Sequence, residues 1–109
     1  MKRSFAYALS SALFVSSAMA EVLETAEIEA CKATGLIALK ERSPAVKALI
    51  LDMDSLTVSK ANTKIEDIPV RTIIMGDAYI ERKETGKAQQ FLCIIGEKGK
   101  VLLTFFATH

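Results

Sequence analysis

Ser43-Pro44-Ala45-Val46-Lys47-Ala48-Leu49-Ile50-Leu51-Asp52-Met53-Asp54-Ser55-Leu56-Thr57-Val58 is the stretch across which this chain changes period. Before it, apolar residues recur at helical spacing; after it, they recur at every second position. Proline pushes the residue preceding it out of the helical region, so Ser43-Pro44 ends the helix on its N-terminal side. From Ala45 onward Leu49, Leu51 and Met53 alternate with Ile50, Asp52 and Asp54, as in a strand with one face turned inward. Leu56 and Val58 then alternate in the opposite phase. A change of phase inside one extended run calls for a bulge or turn near Asp54-Ser55.

On the N-terminal side, Glu24 to Arg42 predicts a single helix. Thr25 is its expected N-cap. Glu27 and Glu29 fall in the first turns and Lys40 and Arg42 in the last, opposing the helix dipole at both ends. Ala26, Ala30, Cys31, Thr34, Ile37 and Ala38 form the expected buried stripe, with Leu23 extending it. The small side chains on that stripe would let the helix lie close to the layer it covers.

On the C-terminal side, Ser59 to Asp67 is polar, with turn chemistry around Ala61-Asn62, and Pro69 opens the next strand. There Val70, Thr72, Ile74, Ala78 and Ile80 point one way, and Arg71, Asp77, Tyr79 and Glu81 the other. Gly76, in mid-run, marks a bend or bulge. Glu84 to Lys87 makes a hairpin connection to a third strand, Gln89 to Ile95, with Phe91, Cys93 and Ile95 on one face. Gly96 to Gly99 is a second turn. The fourth strand, Lys100 to Thr108, carries Val101, Leu103, Phe105 and Ala107 in register. That phase leaves Leu92, Ile94, Leu102 and Phe106 on the opposite face, more apolar surface than a solvated sheet face needs.

One helix followed by four hairpin-linked strands predicts an α+β domain, its N-terminal helix packed across a four-stranded antiparallel meander. The order resembles that of cystatin-like and related small α+β domains. It is a likeness of architecture, with no family motif attached.

The first twenty residues predict an export signal. Lys2 and Arg3 form a basic head, Phe5 to Val15 a mostly apolar run, and Ala18-Met19-Ala20 a small-x-small cleavage pattern. The apolar stretch is shorter than the roughly 20 residues of a membrane-spanning helix and is interrupted by serines. Cleavage before Glu21 would leave 89 of the 109 residues and no stable membrane anchor. Loss of Lys2 and Arg3 leaves twelve Lys/Arg against thirteen Asp/Glu, a formal charge of about −1. That balance lacks the clustered basic face of a nucleic-acid binder. Cys31 and Cys93 are the only cysteines, an even count in a chain expected in an oxidising compartment. A bridge between them would close a loop worth about 3–4 kcal/mol. The alternative is a pair of buried free thiols acting as apolar filler.

Val46-Lys47-Ala48-Leu49-Ile50-Leu51-Asp52-Met53-Asp54 resembles the first motif of haloacid-dehalogenase-type phosphatases, an apolar strand ending in Asp-x-Asp. The resemblance implies Asp52 as nucleophile, Asp54 as general acid/base and a metal nearby. It covers about nine residues and departs from the family pattern at once, because Ser55-Leu56 stand where Gly-Thr is usual. That family's parallel Rossmann-like sheet also needs well over 89 residues. Other catalytic sets are thinner. The sole histidine is His109, at the chain end, and zinc would compete with a disulfide for both cysteines. Asp52, Asp54, Glu66 and Asp67 have no calcium-loop spacing. No metal or cofactor is expected.

The expected function is that of an exported, non-enzymatic binding or accessory protein. Its expected site is an apolar face of Tyr79, Leu92, Ile94, Leu102 and Phe106, serving a protein partner or a homodimer through the sheet face or the last strand. The competing expectation is a small hydrolase using Asp52 and Asp54.

Overall fold

In the computed structural model, which describes residues 23–108, a helix over residues 23–42 (α1) precedes one antiparallel sheet. The predicted signal segment, residues 1–20, and His109 lie outside the described residues. The strands are β1 (Ala48–Leu51), β2 (Thr57–Ile65), β3 (Ile68–Glu81), β4 (Gln89–Ile95) and β5 (Val101–Thr108). Their order is β1-β3-β4-β5, with β2 also paired to β3. β1 pairs with the end of β3 at Ala78 to Glu81, and β2 with its beginning, Ile68 to Met75. The two short strands thus lie end to end along one side of the long one.

The sheet therefore has five strands where the sequence predicts four, because the first extended run is cut in two. The cut is a 3-10 turn, Met53–Ser55, where the sequence changes phase. Gly76 faces it across the sheet. A Cβ on Gly76 would stand 2.6 Å from a Leu56 methyl carbon and 3.1 Å from Leu56 Cα, so only glycine admits this approach. The Ser55 hydroxyl donates to the Asp52 carbonyl at 2.7 Å and accepts from the Asp77 amide at 2.8 Å. The Asp52 amide in turn donates to the Asp77 carbonyl at 2.9 Å. These bonds satisfy backbone groups that the interrupted ladder would leave unpaired.

A second departure concerns residues 59–67, which read as a polar loop. Most of that segment is strand β2, joined to β3 by a tight turn at Glu66-Asp67. Its turn-like Ala61-Asn62 is a bulge, where the register slips between Lys60 and Thr63. A polar edge strand buries little, so it carries no alternation to detect. Glu66 takes a left-handed backbone (φ 57°) to close the turn.

The core lies between α1 and the sheet. Val70, Thr72, Ile74, Ala78 and Ile80 of β3 are buried as the alternation predicts, with Leu49, Leu51, Phe91, Cys93 and Ile95 beside them. The helix differs from expectation at two points. It is already helical at residue 23, so Thr25 sits inside it and does not cap it. Its buried stripe is Ile28, Cys31 and Gly35, flanked by half-buried Leu36 and Leu39. Leu23 and Ile37 are 60% and 62% exposed, Ala26 and Thr34 are exposed, and Ala30 and Ala38 half-buried. The helix is thus turned about a third of a revolution from the small-residue track. Inward rotation of Ile28, Leu36 and Leu39 removes more apolar area from water than alanines can. Gly35 supplies the close contact: a Cβ there would stand 3.2 Å from both Leu49 and Phe106.

Cys31 and Cys93 are bonded, with Sγ–Sγ 2.05 Å and Cα–Cα 6.0 Å, and join α1 to β4. The free-thiol alternative is thereby set aside. The whole is a small disulfide-stapled α+β domain, consistent with a cystatin-like class. No helix among the described residues is long and apolar enough to cross a membrane.

Candidate functional site

Helix α1 covers one sheet face, and the strand register dictates which side chains stand on the other. Met75 pairs with Leu92 and Ile73 with Ile94 across β3 and β4; Leu92 pairs with Phe105 and Ile94 with Leu103 across β4 and β5. Side chains of paired residues share a face, so these six form one apolar field opposite the helix. Met75, Leu103 and Phe105 are 52%, 48% and 55% exposed, and the other three are half-buried. Ile50, also exposed, pairs with half-buried Tyr79 at the β1 end of the same face. A shallow groove of about 360 Å³ crosses the field, bordered by Met75, Asp77, Gln90, Leu92, Phe105 and Ala107.

Of the five residues expected on this face, the fold brings Tyr79, Leu92 and Ile94 to it. Phe106 lies on the other side. It pairs with Phe91, their rings 5.1 Å apart and tilted by 43°, and it packs against the core under the helix. Leu102 sits at a bulge and packs over Gly96, its methyl carbons 3.1 and 3.2 Å from where a Cβ would be.

The cause is one residue. Ile94 pairs with Leu103 but Ile95 pairs with Val101, so Leu102 has no partner opposite. An unpaired residue in one strand reverses the facing of everything beyond it. Val101 keeps its expected inward side, while Leu103, Phe105 and Ala107 turn outward and Thr104 and Phe106 inward. Leu103 and Phe105 are thus the exposed members that the alternation placed elsewhere, whereas Met75 keeps the outward phase of Asp77 and Tyr79 on β3. One signal was present: three consecutive apolar residues, Val101-Leu102-Leu103, directly after the Gly96 to Gly99 turn.

The aspartates occupy a different place. Asp52, half-buried, precedes the 3-10 turn, and exposed Asp54 lies within it. Neither ends a parallel strand, so the sheet that the phosphatase-like motif implies is not the sheet present. Glu66 and Asp67 are at the far end of β2, in the turn to β3. Among the described residues, no group of three or more His, Cys, Asp or Glu is arranged to hold a metal ion.

The open face ends on one side at β5, which among the described residues pairs only with β4. Its eight residues, Val-Leu-Leu-Thr-Phe-Phe-Ala-Thr, include no charged side chain. The opposite edge carries Lys60 and Lys64 on β2, the former 3.4 Å from Glu27 of the helix. No family model matches this chain, and neither a curated protein nor a solved structure matches it.

Proposed function

We propose that this protein is an exported, non-enzymatic binding module that acts through protein–protein contact at its open sheet face. The observation that carries the reading is the continuous apolar field, with Met75, Leu103 and Phe105 exposed around half-buried Leu92 and Ile94. Contiguous exposed apolar surface on a small domain marks a partner site more often than scattered single residues do. Location rests on two features that agree. The first twenty residues have the layout of a cleavable leader, and a structural disulfide belongs to an oxidising compartment.

Met75→Glu tests the face. Met75 is exposed beside Leu92 on the β3 side of the field, so a carboxylate there leaves the core untouched while placing a charge in the contact. The parent protein is expected to bind a hydrophobic dye and to retain a defined set of envelope proteins on a column, and the variant to lose both. A parent that binds no dye, or a variant that retains the same proteins, overturns the reading. Asp52→Asn tests the enzymatic alternative: parent and variant are expected to give equal, background-level turnover of a generic phosphate ester. Turnover in the parent that the variant lacks would replace the binding module with a hydrolase.

A further inference from the structure

We infer that β5 is a self-association edge, pairing antiparallel with β5 of a second copy of this chain. The proposal goes beyond the open-face reading, because it concerns the strand edge beside that face and is tested separately from it. An open strand edge presents unpaired backbone N–H and C=O groups, and the group that satisfies such a row is another extended strand. Among the described residues no strand occupies the outer side of β5.

The choice of a second copy follows from charge and symmetry. A two-fold axis sets the middle of the edge against itself, so a charge near the axis would stand close to its like. Val101–Thr108 has none. The β1/β2 edge is guarded against such a contact: it is broken by the 3-10 turn, bulged between Lys60 and Thr63, and charged at Lys60 and Lys64. An axis beside Thr104 sets Leu103 of each copy against Phe105 of the other. These are two of the most exposed large apolar residues of the open face, and cross-strand aliphatic–aromatic pairs stabilise antiparallel sheets. The result is one continuous sheet with its apolar open faces joined.

Sedimentation of the parent, Met75→Glu, Leu103→Lys and Leu103→Lys/Phe105→Lys proteins tests this. Positions 103 and 105 are exposed, so the lysines spare the core, and an unchanged circular-dichroism spectrum verifies the fold. The parent and Met75→Glu are expected to be dimers in reversible equilibrium with monomer. Leu103→Lys is expected to weaken the dimer by tenfold or more, and the double variant to be monomeric. Backbone amides of β5 are expected to become protected from exchange as the parent concentration rises. A parent that stays monomeric at all concentrations overturns the proposal, and so does a dimer that the double lysine variant leaves intact. Either result leaves the face reading standing if Met75→Glu still abolishes dye and protein binding. A failure of the Met75→Glu test with an intact β5 dimer removes the face reading alone.

Discussion

The two edges of this sheet are built in opposite ways. On one side the edge is in pieces: four residues of β1, a 3-10 turn, then nine residues of β2 with a bulge and two lysines. On the other, β5 runs eight residues without a charge. Broken strands, bulges and lysines are the means by which natural sheets discourage edge pairing. All three stand on the β1/β2 side. β5 has a bulge only where it leaves the β4 turn. An unguarded edge is a hazard in a protein meant to stay alone, and the proposed self-association would turn its position beside the apolar open face into an interface.

The helix divides the molecule along the same line. It is bonded covalently to β4, the neighbour of β5, whereas β1 and β2 meet it through packing and the Lys60–Glu27 ion pair. Replacing both cysteines with alanine should give the largest effect. The bridge spans 62 residues of sequence, and the chain-entropy estimate for such a loop is about 4 kcal/mol. Denaturant titration of parent and Cys31→Ala/Cys93→Ala proteins checks the magnitude. Amide exchange checks the asymmetry, with β4 and β5 expected to lose more protection than β1. Equal losses on both sides would mean that the bond stabilises the whole domain without regard to side.

Gly76→Val attacks the broken edge. The new side chain meets Leu56 and Ser55, whose backbone and hydroxyl cannot withdraw without giving up the bonds to Asp52 and Asp77. A loss of about 2–3 kcal/mol is expected, the upper part of the range for overpacking a fitted site. The Asp77 amide should exchange faster while the amides of β5 do not. If β5 loosens as much as β1, the two edges are one cooperative unit and the contrast between them is only chemical.

Lys60→Thr/Lys64→Thr sharpens the contrast at the smallest cost in stability. Both lysines are exposed, so unfolding should shift by no more than about 0.5 kcal/mol. Association should change more. With both edges uncharged, pairing no longer closes at two copies, and species larger than the dimer are expected by sedimentation. A variant that assembles no further than the parent would show that the 3-10 turn and the bulge guard this edge without help from charge.

Much of this architecture is legible in the order of residues. The helix, the period change after Ser43-Pro44, the break near Asp54-Ser55, the inward row of β3 and the pairing of the two cysteines all follow from local rules. What escaped detection has a common cause. β2 is polar because it lies at an edge and buries little, so its strand character left no alternation. The helix offers two apolar tracks, and only the sheet beneath selects Ile28, Cys31 and Gly35 over Ala26, Ala30 and Thr34. In the candidate site, Leu92, Ile94 and Tyr79 were legible because β3 and β4 keep their phase up to that point. Leu103 and Phe105 were not, because one unpaired residue, Leu102, reverses the facing of the strand after it.

Periodicity, proline and cysteine chemistry therefore suffice to say that a stapled helix-on-sheet domain is encoded here, since each acts over a few residues or through a single bond. The facing of β5, the rotation of the helix and the contrast between the two edges depend on register, which is set where strands meet. A slip of one residue costs little locally yet exchanges which side chains meet water. Phe106 became core and Phe105 became surface through that one slip, so which side chains this protein presents to solvent was settled by pairing across space.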